Sequence, residues 1–240
     1  MNIIRVATYK DLSEKASQIL LKQIKEKSNS VLGLATGGSV IGTYELLVED
    51  HKKNKTPYNQ IKTVNLDEYI GLKPNNPYSY HYFMNQYLFQ HIDLLEQHTH
   101  VPKGVSDDFQ NECHQYEQTI EQLGGIDLQL LGVGVNGHIG FNEPGTSFQS
   151  KTHIVDLSPS TIEVNSRFFN TIEEVPTKAI TMGIQTIMNS KKIVLLASGK
   201  TKAPILKEIL KGEVTENVPA SVLNQHPDVT IIADEEALAN

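Results

Sequence analysis

Several features are scarce or missing in this chain of 240 residues, and each absence excludes a class of protein. Cys113 is the only cysteine, so no disulfide can form within the chain, and this usage is typical of a reducing compartment. No apolar run approaches the roughly 18 residues of a membrane-spanning helix, and the first residues lack the apolar segment of a secretory signal. We therefore expect a cytoplasmic protein with no membrane partner.

Positive charge is also in deficit. The formal net charge is −7, and the chain contains only two arginines, Arg5 and Arg167. Without a basic field the chain has little attraction for nucleic acid, so we expect no nucleic-acid partner. A local basic cleft for a small anion is still compatible with this composition.

Short apolar segments alternate with longer amphipathic segments along the chain. Strands that alternate with helices are joined by right-handed crossovers, which predicts an α/β fold: three layers, Rossmann-like, a mostly parallel sheet with helices on both faces. No repeat or Gly/Ser linker divides the chain, so residues 1–240 are predicted to form a single domain. The predicted strands are Ile3–Val6, Val31–Ala35, Thr63–Leu66, His100–Pro102, Leu128–Val133, His153–Leu157, Ile193–Ala197 and Val229–Ala233, and the predicted helices are Leu12–Lys27, Ile41–Lys53, Ser79–His91, Phe109–Leu123, Pro159–Phe169 and Lys202–Lys211.

The most informative segment is LGVGVNGHIGFNEPG, which follows an apolar strand. It delivers Asn136, His138 and Glu143 within eight positions, and its glycines, Gly132, Gly134 and Gly137, permit sharp turns. Loops at the carboxyl ends of parallel strands are where open α/β sheets bind ligands. An imidazole beside a carboxylate is suited to proton transfer. The plainer interpretation, a loop histidine and a solvated acid, accounts for fewer of the features below.

A second candidate loop follows the strand Val31–Ala35 and reads Thr36-Gly37-Gly38-Ser39. Backbone N–H groups at a helix N-terminus suit a phosphate, and the two hydroxyls add donors. The loop matches neither a Walker A motif nor a GxGxxG fingerprint, so nucleotide hydrolysis is not indicated. The alternative is an ordinary tight turn in which Ser39 caps the next helix.

Two adjacent carboxylates, Asp67 and Glu68, follow the strand Thr63–Leu66. Neighbouring side chains on an extended segment point in opposite directions, so only one of the two can face a pocket. We predict that Asp67 is a catalytic base and that Glu68 is its structural neighbour. An aspartate that caps the following turn is the alternative.

Two cations are candidates for a bound anion. Lys202 is predicted to lie in the first turn of a helix, where positive charge is disfavoured unless it neutralises an anion. Arg167 is isolated in a lysine-rich chain, which favours a bidentate anion contact. A surface lysine and a structural ion pair remain the alternatives for these two residues. The chain has no HExxH or CxxC spacing and no nicotinamide fingerprint, so we predict no metal and no cofactor.

Taken together, these segments resemble the glucosamine-6-phosphate deaminases of the glucosamine/galactosamine-6-phosphate isomerase family. The resemblance extends to about residue 235 and covers GLATGGS, NLDEYIGL, GVNGHIGFNEPGTSF, NSRFF and GKTKA. The FNEP element distinguishes this group from the related 6-phosphogluconolactonases. The resemblance implies the conversion of glucosamine 6-phosphate and water to fructose 6-phosphate and ammonia in amino-sugar catabolism, without a cofactor.

The resemblance also implies roles for the candidate residues. His138 would assist ring opening, Glu143 would orient its imidazole, and Asp67 would move the proton from C2 towards C1. The sugar phosphate would be held by Ser39, Arg167 and Lys202 and by the backbone of residues 36–38. Residues 158–178 would form a mobile lid.

Three departures from the family pattern affect these expectations. Asn136 stands where many relatives have Asp, so a charged triad would be replaced by a weaker polarising contact, with activity retained. His153 and Val155 occupy the positions of the basic effector-binding residues of allosteric members, and the chain stops at Asn240 without their longer tail. We therefore expect a non-allosteric enzyme that is a monomer or a small homo-oligomer.

Two rival interpretations stay open at this point. A lactonase or a sugar-phosphate isomerase on the same fold would bind a phosphorylated sugar without releasing ammonia. A sugar-phosphate sensor would normally carry a helix-turn-helix segment, for which the chain leaves no room before its first strand, and it would have little need of three clustered acid–base residues.

Overall fold

Strands and helices alternate along the chain, as expected. The computed structural model describes residues 1–239, apart from the side chain of Phe168. The strands are β1 Asn2–Val6, β2 Val31–Leu34, β3 Lys62–Asn65, β4 Asp67–Tyr69, β5 Thr99–His100, β6 Leu128–Gly132, β7 His153–Asp156, β8 Lys178–Thr181, β9 Ile193–Ala197 and β10 Val229–Asp234, and the helices are α1 Tyr9–Glu26, α2 Ile41–Asn54, α3 Tyr80–Tyr87, α4 Phe109–Gln122, α5 Pro159–Asn165, α6 Ile184–Met188 and α7 Ala203–Leu210.

Seven strands form one sheet in the order β1-β10-β9-β6-β2-β3-β5, and every neighbouring pair is parallel. This confirms the predicted α/β class. Strands covered on both faces are apolar throughout, as β9 is, with all five of its residues buried. Because β9, β6, β2 and β3 are consecutive in the sheet, the loops that follow them meet side by side at its carboxyl edge.

A second sheet, of three antiparallel strands, was not predicted. It has the order β4-β8-β7, with Asp67 opposite Thr181 and His153 opposite the same residue. Asp67 follows the strand β3 and is extended, as expected, but it also begins β4, a strand that was not predicted. The chain changes sheets at Leu66, whose N–H donates to Leu34 and whose carbonyl accepts from Met182. A single apolar residue between two short strands leaves no turn signal for a pattern to reveal.

Two predicted helices end earlier than expected. The segment Ser79–His91 divides into α3 and a 3-10 turn at Phe89–His91. The segment Pro159–Phe169 divides into α5 and a second 3-10 turn that begins at Ser166. The short helix α6 was not predicted. Both divisions are local, and neither moves a candidate residue away from the carboxyl edge of the large sheet.

Buried apolar side chains form two clusters. The larger one packs on the seven-stranded sheet and includes residues of α1, α2, α4 and α7. The smaller one lies at the antiparallel sheet and contains Tyr69, Phe141, Leu157 and Ala179. Among residues 1–239, no helix is both long and apolar enough to cross a membrane.

Candidate active site

The loops at the carboxyl edge of the large sheet surround a cavity of about 610 Å³. Nine of the ten predicted site residues line it: Thr36, Gly37, Gly38, Ser39, Asp67, Asn136, His138, Arg167 and Lys202. Glu143 lies outside the cavity wall, beside His138. The structure therefore places residues from five segments of the chain around one space.

Asp67 and Glu68 are both buried, with 6% and 2% of their surface exposed. The Glu68 carboxylate accepts backbone N–H groups from Tyr69 at 2.8 Å and, at the start of α3, from Tyr80 and His81 at 2.9 Å. Asp67 lines the cavity, and within the described residues its carboxylate accepts no hydrogen bond. As expected, one carboxylate, Glu68, is held by the backbone, and the other, Asp67, faces the cavity.

Burial raises the pKa of Asp67 to about 8, and the negative charge of Glu68 adds to this effect. Burial also raises the pKa of Glu68 to about 7, although its three backbone N–H partners oppose the rise. A carboxylate that binds a proton near neutral pH is a stronger base than an ordinary aspartate. Asp67 is therefore suited to removing a weakly acidic proton from a bound molecule.

The imidazole of His138 packs against the backbone of Gly134. A Cβ at Gly134 would lie 2.3–2.5 Å from three ring atoms, so no other residue fits there without moving the ring. Of the three glycines expected to permit sharp turns, Gly137 alone adopts a positive φ, +88°. Gly134 is therefore needed for space rather than for conformation.

Glu143 is held by donors on both carboxylate oxygens. Oε2 accepts from Asn136 Nδ2 at 2.7 Å and lies 3.6 Å from His138 Nδ1, a separation that suits an ion pair but is long for a hydrogen bond. Oε1 accepts from the hydroxyls of Ser158, at 3.1 Å, and Thr161. Burial opposes ionisation, but the interactions with His138, Thr161 and Asn136 outweigh it and lower the pKa of Glu143 to about 2.

The side chain of Asn136 was expected to polarise the His138 imidazole, but it contacts Glu143 instead. Its Nδ2 donates to Glu143, and its Oδ1 accepts the backbone N–H of His138 at 3.2 Å. The physical reason is that an amide presents a donor, and the nearest strong acceptor is the Glu143 carboxylate. The contact thus acts on Glu143 rather than directly on the imidazole.

The TGGS loop, residues 36–39, joins β2 to α2. The N-cap of α2 is Val40, which makes no side-chain capping bond, so the alternative in which Ser39 caps this helix is wrong. Gly37 has φ +94°, a conformation that favours glycine. Across the described part of the chain, the N–H groups of Gly37, Gly38 and Ser39 have no hydrogen-bond acceptor. Several unpaired donors therefore stand at one end of the cavity.

The two candidate cations lie at the same cavity. Lys202 ends the 3-10 turn Lys200–Lys202 and is the N-cap of α7, one position before the helical turn in which we expected it. Burial and the positive charge of Arg167 lower the pKa of Lys202. Arg167 lies in the turn after α5 and lines the cavity. Two cations near each other and near unpaired N–H groups form an environment suited to an anion of more than one charge.

Sequence reasoning missed two groups of residues. Aromatic rings wall the cavity: Tyr69 lies 4.8 Å from Tyr80 and 5.6 Å from Phe141 between ring centroids. The hydroxyls of Ser158 and Thr161, which bind Glu143, were also missed. A signal existed for Ser158, because a serine followed by proline is typical of a helix start. No sequence signal connects it to Glu143.

This combination of features defines a class: an α/β enzyme with acid–base side chains and an anion site at the carboxyl edge of a parallel sheet. A family model described as glucosamine-6-phosphate isomerases/6-phosphogluconolactonase matches residues 5–232, and the chain belongs to this family. The resemblance stated from the sequence is thereby confirmed.

Individual relatives match along nearly the whole chain. The glucosamine-6-phosphate deaminase of Geobacillus sp. (strain WCH70) is 59% identical over 239 residues, covering 100% of this chain and 95% of the relative. The glucosamine-6-phosphate deaminase 1 of Bacillus subtilis (strain 168) is 51% identical over 237 residues, covering 99% and 98%. A solved structure described as a monomeric glucosamine-6-phosphate deaminase superposes with a TM-score of 0.98 at 50% identity, covering 100% of both chains.

A more distant structure shares the fold alone. The 6-phosphogluconolactonase from Thermotoga maritima matches with a TM-score of 0.76 at 24% identity, over 97% of this chain and 98% of that one.

Proposed function

We propose that this protein converts glucosamine 6-phosphate and water to fructose 6-phosphate and ammonia, in amino-sugar catabolism. The observation that carries the proposal is the buried Asp67 carboxylate, which borders the same cavity as His138 and the unpaired donors of the TGGS loop. Relatives named glucosamine-6-phosphate deaminase that match essentially the whole chain support this assignment.

The phosphate of the substrate binds at the TGGS loop. The N–H groups of this loop and the Ser39 hydroxyl supply neutral donors, and Lys202 and Arg167 supply positive charge. A helix N-terminus adds to the attraction, because α2 begins directly after the loop. Binding at this end places the sugar ring along the cavity towards His138 and Asp67.

Ring opening is assigned to His138. The imidazole takes the proton of the anomeric hydroxyl and returns it to the ring oxygen, so the pyranose opens to the aldehyde. Glu143 carries a negative charge across the neutral pH range because its pKa is about 2. Its charge, 3.6 Å from Nδ1, stabilises the imidazolium that forms during the transfer.

Isomerisation and deamination are assigned to Asp67. In the open-chain aldehyde the proton on C2 is acidified by the adjacent carbonyl, and Asp67 removes it to form an enolamine. The same carboxyl group returns the proton to C1, which leaves an imine at C2. Water then adds at C2 and ammonia departs, giving the ketose. These steps move protons and exchange ammonia for water at C2 with no net change in oxidation state, so they need no redox or group-transfer cofactor.

We propose residues 158–178 as the lid over the cavity and residues 1–240 as one domain, of which Asn240 lies outside the described residues. Support for the lid is that α5 and the turn after it line the cavity through Thr161, Asn165 and Arg167. We further propose a monomer or small homo-oligomer in the cytoplasm, without a nucleic-acid partner. A solved relative is described as monomeric, and the net charge of −7 supports the last point.

Incubation of the purified protein with glucosamine 6-phosphate, with both products followed, tests the proposal. We expect equimolar ammonia and fructose 6-phosphate, lost in Asp67→Asn and retained in Asp107→Asn, a matched change at an exposed aspartate. Sugar-phosphate binding without ammonia release would contradict the proposal. Hydrolysis of 6-phosphogluconolactone would then identify a lactonase instead.

A further inference from the structure

The hydroxyl of Tyr9 connects α1 to the TGGS loop. Tyr9 is the first residue of α1, and its hydroxyl donates to the carbonyl oxygen of Gly38 at 2.9 Å. The same hydroxyl accepts the N–H of Gly42 at 3.0 Å, in the first turn of α2. The Tyr9 hydroxyl thus donates one hydrogen bond and accepts another, and the two bonds hold Gly38, before α2, and Gly42, in its first turn. Both residues lie about thirty positions from Tyr9 in the sequence.

The contact with Gly42 replaces a missing helix cap. The first N–H groups of a helix have no partner within it and are usually capped by the side chain of the N-cap residue. Val40 cannot do this, and Tyr9 supplies the acceptor instead. Ser39, the nearest residue able to act as a cap, is therefore left with a hydroxyl that has no partner in residues 1–239.

The contact with Gly38 sets the direction of the neighbouring N–H. In a planar trans peptide the carbonyl and the following N–H point in opposite directions. Because the Gly38 carbonyl points to Tyr9 on α1, the N–H of Ser39 points away from α1. Ser39 lines the cavity, and its N–H has no acceptor among the described residues, so this donor is available to the phosphate proposed to bind there.

Close packing of α1 on α2 holds the Tyr9 hydroxyl in place. A Cβ at Gly42 would lie 2.5 Å from Ser13 Oγ and 3.3 Å from the Tyr9 hydroxyl, so only glycine permits this approach. Ser13 is 2% exposed, one turn after Tyr9. The two helices therefore meet where the hydroxyl bridges loop and helix.

We infer that Tyr9 is a positioning residue for the substrate phosphate: by capping α2 and holding the Gly38 carbonyl, it reserves the donors of Ser39 for the anion. The inference rests on the proposed function in that it takes the TGGS loop as the phosphate site. Tyr9 itself does not line the cavity and acts through the loop.

The first test is Tyr9→Phe, which keeps the ring and removes the hydroxyl. We expect the Kd for inorganic phosphate, measured by calorimetry, to rise about 3- to 10-fold, the loss expected for a net hydrogen bond. KM for glucosamine 6-phosphate rises by the same factor, while kcat changes by less than about 2-fold because Asp67 and His138 are untouched. The matched control is Tyr58→Phe, since the buried Tyr58 hydroxyl has no partner among the described residues.

A double-mutant cycle with Ser39→Ala separates positioning from general stability. We expect Ser39→Ala to weaken phosphate binding less in the Tyr9→Phe background than in the wild type. In Tyr9→Phe the Ser39 hydroxyl turns to cap α2 in place of Tyr9, so it no longer binds the phosphate and its removal costs less. Unchanged phosphate affinity in Tyr9→Phe, or purely additive losses, would overturn the inference.

The calorimetric readout does not depend on turnover. Wild-type protein that binds phosphate but releases no ammonia would defeat the proposed function and leave the role of Tyr9 standing. Wild-type protein that binds no inorganic phosphate would overturn the loop as an anion site, and the role of Tyr9 with it.

Discussion

Two regions of this molecule hold a carboxylate, one in the wall of the cavity and one just behind it, and they shift its pKa in opposite directions. Asp67, on β4, is buried and accepts no hydrogen bond from the residues that the structure describes, and its pKa is raised to about 8. Glu143, in the glycine-rich loop, is surrounded by donors, and its pKa is lowered to about 2. Burial therefore raises the pKa of a carboxylate that lacks donors, whereas the combined partners of Glu143 outweigh burial and keep that carboxylate charged. The first suits a base and the second suits a permanent counter-ion.

Removing the basic carboxylate should give the largest effect. Asp67→Asn should lower kcat by about 10²- to 10⁴-fold, the usual contribution of a general base, yet stabilise the fold by about 1–3 kcal/mol at pH 8. The carboxyl pKa is near 3.8 when unfolded and about 8 when folded. Between these values the unfolded chain binds fewer protons, so the wild-type free energy of unfolding falls as pH rises.

Urea unfolding across pH 4 to 9 measures this effect. The difference in stability between Asp67→Asn and wild type should grow with pH through that window and level off above it. In the wild type, kcat/KM should rise with pH towards 8, because only the ionised carboxylate accepts a proton. A kcat/KM that is flat from pH 6 to 9 would contradict the assignment of Asp67 as a high-pKa base.

Displacing the His138 imidazole from Glu143 should give the second-largest loss of activity. Gly134→Ala places a Cβ 2.3 Å from the His138 ring, which must shift and lose its distance to Glu143. We expect kcat to fall about 10- to 100-fold, with a smaller change in KM, by steady-state kinetics. Gly132→Ala is the control, because its nearest neighbour would be Ser39 Oγ at 4.0 Å, an ordinary contact. Equal losses in the two variants would argue against the role of space at Gly134.

Placing a second carboxylate beside Glu143, as Glu68 lies beside Asp67, should give the smallest effect on activity. Asn136→Asp replaces the donor 2.7 Å from Glu143 with a second carboxylate, so the two groups disfavour full ionisation and the pKa of Glu143 rises from about 2. We expect activity to survive within about 10-fold and the pH profile to shift.

Stability should also respond to this substitution. The contribution of Glu143 is present above its unfolded pKa and is lost as pH falls towards 2, so the acid-unfolding midpoint of Asn136→Asp should move to higher pH. Circular dichroism against pH measures this midpoint, and an NMR titration of the Glu143 carboxyl carbon measures its pKa. An unchanged midpoint together with an unchanged pH–rate profile would show that Asn136 does not tune Glu143.

The sequence by itself determined the class of fold and the location of the site. Alternating apolar segments predicted the parallel sheet, and glycine-rich or polar residues after four strands predicted a shared edge. These signals are local, since each depends on a few neighbouring residues and on the rule that parallel strands end together. Eight of the nine candidate residues that line the cavity follow these strands, so a shared edge could be predicted for them without knowledge of any long-range contact, whereas Arg167 follows a helix.

Only the tertiary structure decided how these side chains are held. That Asp67 begins a strand of a second sheet depends on its pairing with Thr181, far along the chain. The environment of Glu143 depends on hydroxyls from α5, and the free donors of Ser39 depend on Tyr9 of α1. Hydrogen-bond direction and the exclusion of water arise between elements distant in sequence, so no local pattern carries the distinction between a carboxylate near pKa 8 and one near 2.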